Sequence, residues 1–160
     1  QLINPINEHE PLLRGSLFKS LFSAVNINVK KGYIAMKAFE VGNVFFKSKS
    51  SFKQEHHLSG IIYHHETPTN WSNRKFSYDF FSLKAEMLSL LKTAGVQETH
   101  FKQTSSCTPF NKNALEIFEG KTKIGAFGEV DLTLTEKLIK KPAFGFEIYP
   151  EKIRSLIHIS

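Results

Sequence analysis

The residues able to do acid–base, nucleophilic or metal chemistry are few, and their spacing suits none of it. His56-His57 and His64-His65 flank one apolar stretch. On an extended strand His57 and His65 share a face, as do His56 and His64, but at about 3.3 Å per residue each pair is separated by roughly 26 Å. A shared metal ion needs its ligands about 2 Å away, so these side chains read as surface histidines at strand ends. Cys107 is the single cysteine and lies in Ser105-Ser106-Cys107-Thr108-Pro109, with His100 upstream. No basic neighbour or Gly-rich elbow is there to lower its pKa. No G-x-S-x-G occurs. Gly120-Lys121-Thr122 mimics the tail of a Walker loop but lacks the upstream glycine. Gly125 and Gly128 are spaced like part of a dinucleotide fingerprint, but with no βαβ unit around them they read as packing or turn glycines.

The elements that would position these residues follow from periodicity. Leu13, Leu17, Leu21 and Val25, widened by Phe18 and Phe22, make an apolar stripe that predicts an amphipathic helix over 14–29, with Ser16 as N-cap and Gly32 just beyond it. Tyr33 to Phe46 is apolar without clean alternation and predicts a strand covered on both faces, with an irregularity at Gly42. Lys47 to Glu55 is polar and reads as a loop, His57 to His65 as a strand, and Glu66 to Lys75 as a longer loop. Asp79 to Ala94 is the clearest helix: Phe80, Leu83, Met87, Leu90, Leu91 and Ala94 fall on one face, and Gly95 follows as the C-cap. Ala114–Phe118 and Lys123–Val130 predict a hairpin around Gly120-Lys121. Thr133 with Glu136 fits a capping box for a short helix ending before Pro142. Phe144 to Tyr149 predicts a last strand, and a helix follows from Glu151. Strands joined by hairpins and loops predict an α+β fold, an antiparallel sheet flanked by helices.

Composition sets the outer bounds. The 160 residues are 41% hydrophobic and 22% charged, an ordinary globular balance, with 15 Phe as the outlier. One cysteine excludes an internal disulfide framework and cysteine-based zinc sites. No apolar run approaches the roughly 20 residues of a membrane helix, and no signal peptide is visible at Gln1-Leu2-Ile3-Asn4-Pro5. The chain does not begin with Met, and residues 1–160 read as one domain cut from a longer polypeptide. The net charge of +6 invites a nucleic-acid reading, but the basic residues come as singles or pairs such as Lys30-Lys31 and Lys140-Lys141, not as a stripe interleaved with exposed aromatics. A solvated Lys-rich surface explains them more simply. From the residues alone the chain is a basic α+β domain with no active site.

Six blocks in a fixed order add a resemblance. They are Asn4-Pro5-Ile6-Asn7-Glu8-His9, Leu13-Arg14-Gly15-Ser16-Leu17, Lys37-Ala38-Phe39-Glu40-Val41-Gly42-Asn43-Val44-Phe45, Asp79-Phe80-Phe81-Ser82-Leu83-Lys84, Glu119-Gly120-Lys121 through Gly128-Glu129-Val130, and Lys141-Pro142-Ala143-Phe144-Gly145-Phe146-Glu147-Ile148. Together they resemble the catalytic-like region of bacterial phenylalanyl-tRNA synthetase beta subunits, with its "RTSLLPGLL", "RLFE(I/V)GRVF", "FFDLKG" and "NGKxIGxxGE" stretches. The sequence departs from that pattern at Gly15, Ser82 and Ala85, and between Thr108 and Ala114.

The resemblance implies a degenerate class II aminoacyl-tRNA synthetase core. Active cores place an arginine after the motif-two strand to hold ATP phosphate, and here that position is Phe46, which has no charge to offer. Lys47 falls on the opposite strand face. Lys152 and Arg154 lie near the place of the ATP-stacking arginine of motif three, without its Gly-rich approach. The implied role is structural: no cofactor bound by this domain and no catalytic or metal residue. ATP and magnesium would be used by the whole enzyme, an alpha-two beta-two heterotetramer that charges tRNA(Phe) with phenylalanine in the cytoplasm, away from membranes. Structural or interface candidates are Arg14, Phe39, Glu40 and Gly42, plus the helix face of Phe80, Leu83 and Met87. Glu40, if buried, needs a partner. The rival readings are a stand-alone basic RNA-binding α+β module and an independent class II-like enzyme such as a biotin-ligase relative. The missing Gly-rich phosphate loop speaks against the latter.

Overall fold

A computed structural model describes residues 14–48, 51–63, 78–104, 109–111, 113–131, 133 and 142–157. Its elements run α1 (Phe18–Lys30), β1 (Met36–Ser48), β2 (Ser51–Tyr63), α2 (Phe80–Thr93), β3 (Thr99–Thr104), β4 (Ala114–Glu119), β5 (Thr122–Glu129), β6 (Ala143–Ile148) and α3 (Pro150–Ile157). The strands form one six-stranded sheet of order β1-β2-β6-β5-β4-β3, and every pairing is antiparallel. The expected α+β architecture is therefore what the chain adopts.

The sheet carries a core on each face. On one, Leu21, Phe22 and Val25 of α1 bury against Ile61, Ala126 and Val130. On the other, Leu83, Met87 and Leu91 of α2 and Ile153 of α3 close over Ile62, Ile117, Phe127 and Ile148. The Phe-rich composition goes mainly into these layers. Phe18 meets Phe110 edge to face at 5.4 Å, and Phe127 lies between Phe80 at 5.5 Å and Phe101 at 5.6 Å.

Several expectations need correction. Of the polar stretch 47–55, residues 47–48 and 51–55 are strand and not loop: β1 and β2 pair in unbroken register from Met36↔Tyr63 to Ser48↔Ser51. Gly42 sits in that register opposite His57, so β1 has no irregularity there. Nor is β1 covered on both faces, because Phe39 is 75% and Val41 52% exposed. The real irregularity lies between β4 and β5, where Ile117 faces Gly125 but Phe118 faces Lys123, leaving Ile124 as the extra residue of a bulge. The sequence reading also missed β3 altogether. The first helix begins later than expected, at Phe18. Ser16 is not its N-cap, although its hydroxyl accepts from the Phe18 N–H at 3.2 Å. The helix expected after Thr133 lies outside the described residues, as do Cys107, His64 and His65.

At α2 the local chemistry is complete. The Asp79 carboxylate accepts the Ser82 N–H at 2.8 Å and the Ser82 hydroxyl at 2.7 Å, in a capping box that satisfies otherwise free amides. Gly95 ends the helix at φ 88°, where a side chain would be strained. The Ser82 hydrogen bonds hold the Asp79 carboxyl below the usual carboxylate range. A lowered folded-state pKa stabilises above the unfolded value of about 3.9, and that stabilisation is lost as pH falls through the folded value. Asp79→Ala is thus expected to lower the melting temperature at pH 7, with the gap to the parent closing in thermal melts below about pH 4.

Candidate functional site

The α1 side of the sheet also carries a half-buried polar band. Cross-strand pairing places Glu116, Ala126, Glu147, Ser59 and Glu40 in one row across five strands, and directly opposed residues share a face. The row presents three carboxylates. Glu116 takes the Lys123 ammonium at 2.6 Å. Glu147 Oε1 lies 3.0 Å from His57 Nδ1 and accepts the Ser59 hydroxyl at 3.4 Å.

Glu40 takes the Arg14 guanidinium at 2.5 Å and the Ser20 hydroxyl. The expected partner for Glu40 is thus supplied from two directions, by the segment ahead of α1 and by α1 itself. Arg14 also donates from Nε to the Asn43 carbonyl at 2.8 Å, and its own carbonyl accepts the Phe45 N–H at 2.9 Å. Gly42 makes room for this clasp: a Cβ there would stand 2.1 Å from an Arg14 guanidinium nitrogen. Arg14, Glu40 and Gly42 therefore form one unit that ties the entry to α1 onto β1.

His57 is a second correction. It is 3% exposed, not a surface histidine at a strand end, because β2 begins six residues before it. Its Nε2 lies 3.4 Å from Glu55, and its ring lies 4.6 Å from Tyr149 and 5.8 Å from Phe46. The Lys152 ammonium lies over the same Tyr149 ring, 4.4 Å from its centroid. His56 bonds Asn43 at 2.9 Å. Among the described residues no cluster of His, Cys, Asp and Glu could hold a metal ion.

The remaining candidates divide by burial. Leu83 is 0% and Met87 3% exposed, both inside this chain's own core, and half-buried Phe80 stacks on Phe127. Phe39 alone of the set is open. The glycines of the false dinucleotide spacing are packing glycines, as expected: a Cβ on Gly128 would stand 2.8 Å from Ala114 Cα. Gly120 makes the β4–β5 turn at φ 55°. Sequence reasoning missed the carboxylate row, whose members come from five strands and gain a common face only through register.

A phosphate chain fits this band poorly. The band's cations, Arg14 and Lys123, are already paired with Glu40 and Glu116, so neither is free to hold phosphate. The residues of this band do not suit ATP.

The fold is that of class II aminoacyl-tRNA synthetases. Two structures of pyrrolysyl-tRNA synthetase from Desulfitobacterium hafniense superpose with TM-scores of 0.65 and 0.67, at 16% identity, over 92% of this chain and about half of theirs. The phenylalanyl-tRNA synthetase beta chain CLM domain matches residues 1–149, and the chain belongs to that family. Phenylalanine–tRNA ligase beta subunits similar to it include those of Protochlamydia amoebophila, 25% identical over 86% of the chain, and Wigglesworthia glossinidia brevipalpis, 29% identical over 96%. The chain spans 17% and 20% of those two relatives. Among the described residues no helix is long and apolar enough to cross a membrane.

Proposed function

We propose that this chain is a non-catalytic, class II core-like structural domain of a phenylalanine–tRNA ligase beta subunit. It supports assembly with the alpha subunit in an alpha-two beta-two enzyme that charges tRNA(Phe) in the cytoplasm, with ATP and magnesium engaged elsewhere in that assembly. The observation that carries the reading is that Arg14 and Lys123, the cations of the polar band, are taken up by Glu40 and Glu116, with Phe46 beside His57 where a phosphate-holding arginine is expected. Adenylate formation depends on positioned positive charge at the phosphates, and the cations of this band are already paired.

The Arg14–Glu40–Gly42 clasp gives the domain a fixed α1–β1 junction. Exposed Phe39 offers apolar surface to a neighbour, whereas buried Leu83 and Met87 act within the core. A stand-alone RNA-binding role is weakened by the use already made of the cations: Arg14, Lys37 and Lys123 are ion-paired, and Lys84 and Lys152 lie over aromatic rings.

The test is phenylalanine-dependent ATP–pyrophosphate exchange by the 160-residue chain. No exchange above background is expected alone, and exchange appears when alpha subunits are supplied with the full beta subunit. Turnover by the chain alone overturns the non-catalytic reading.

A further inference from the structure

On the sheet face opposite the carboxylate row, α2 and α3 do not close over the sheet completely. They leave a cavity of about 340 Å³. Leu58 and Ile148 floor it, Leu90 and Leu91 of α2 form one wall, and Ile153 and Arg154 of α3 form the other. The cavity is continuous with open surface. Val41 lies directly opposite Leu58 and Phe39 one position further along the same face, and Phe39, Val41 and Leu90 are 75%, 52% and 36% exposed. The result is an apolar groove from the edge strand β1 to α3. At its Tyr78 end the Lys37–Glu86 pair bridges β1 and α2 at 2.9 Å.

Contiguous apolar surface of this kind marks a contact site. Arg154 is the charged group at the cavity, and among the described residues no carboxylate pairs with it. We infer that this groove seats an apolar element bearing a carboxylate opposite Arg154, contributed by the part of the same polypeptide outside residues 1–160. The inference rests on the beta-subunit reading above.

Two observations select that occupant. The relatives carry about four-fifths of their length outside the matched stretch, so polypeptide to fill the groove is present in each of them. The cavity at the centre of the groove is also small, about 340 Å³, a minor anchor beside the roughly 20–30 residues a side on which a stable interface between separate proteins draws. A tethered segment needs less, because its local concentration is in the millimolar range for short linkers. Charge complementarity supplies the carboxylate.

The experiment uses the full-length beta subunit assembled with its alpha subunit and carrying the photo-crosslinker benzoylphenylalanine at Leu90, or separately at Val41. Irradiation is expected to give an adduct within the beta chain, mapped by mass spectrometry to an acidic, apolar segment beyond residues 1–160. Arg154→Glu is expected to cut its yield about tenfold. An adduct carrying the alpha subunit or another polypeptide, no adduct at either position, or a yield indifferent to Arg154→Glu overturns the inference. None of these outcomes bears on ATP–pyrophosphate exchange by the isolated chain, so the two readings fail separately.

Discussion

Phe127→Ala is expected to destabilise the chain by about 4 kcal/mol, a large part of the roughly 5–15 kcal/mol that keeps a domain folded. The ring is 0% exposed. It stacks on Phe80 of α2 at 24° and takes Phe101 of β3 at 86°. Removing it empties the point where a central strand, an edge strand and a helix meet, and none of the three can collapse inward without leaving its other contacts. Phe127→Leu keeps most of the volume and is expected to cost about 1.5 kcal/mol. Urea denaturation followed by circular dichroism checks both, and a midpoint for Phe127→Ala close to that of the parent contradicts the packing described.

Gly125→Ala is expected to cost about 3 kcal/mol although it adds one methyl group. The new Cβ would stand 2.5 Å from the Glu147 carbonyl oxygen and 2.8 Å from Ile148 Cδ1. The first neighbour is backbone of β6, held on its other side by β2, so relief requires prising apart the two central strands. Gly120→Ala makes the contrast. It meets nothing within 4 Å and pays only for its φ of 55°, about 1 kcal/mol. Equal losses at the two positions in the same denaturation series would show that close approach to β6 is not the cause.

The parts legible in the sequence are those where local pattern and tertiary burial agree. In α2 the apolar stripe, the start at Asp79 and the stop at Gly95 all point one way, and Leu83, Met87 and Leu91 are indeed buried. The stretch 47–55 misled because its composition is polar, yet residues 47–48 and 51–55 are paired residue by residue between β1 and β2. Pairing, not composition, makes a strand of an exposed hairpin arm. Strand β3 was invisible for a similar reason: Thr99–Thr104 has one large apolar residue, Phe101, and sits at the sheet edge.

The site was less legible than the fold. A need for a partner at Glu40 could be read from its chemistry, but Arg14 is 26 positions away and meets it only after α1 has docked. His57 looked terminal because the strand was started too late. The cavity beside α3 joins residues from β2, α2, β6 and α3, and no local pattern announces such a meeting.

The position of β6 in the strand order has a consequence for how the chain is made. It is the last of the described strands and lies between β2 and β5, which no other described strand joins. As the polypeptide leaves the ribosome, the β1–β2 hairpin and the β3–β4–β5 meander can each form from nearby residues, a cheap kind of closure. They remain two fragments with open edges until residues 143–148 emerge and zip both sides at once. Folding of the whole sheet is therefore gated by β6, and a nascent chain stalled just short of Ala143 exposes two sticky strand edges.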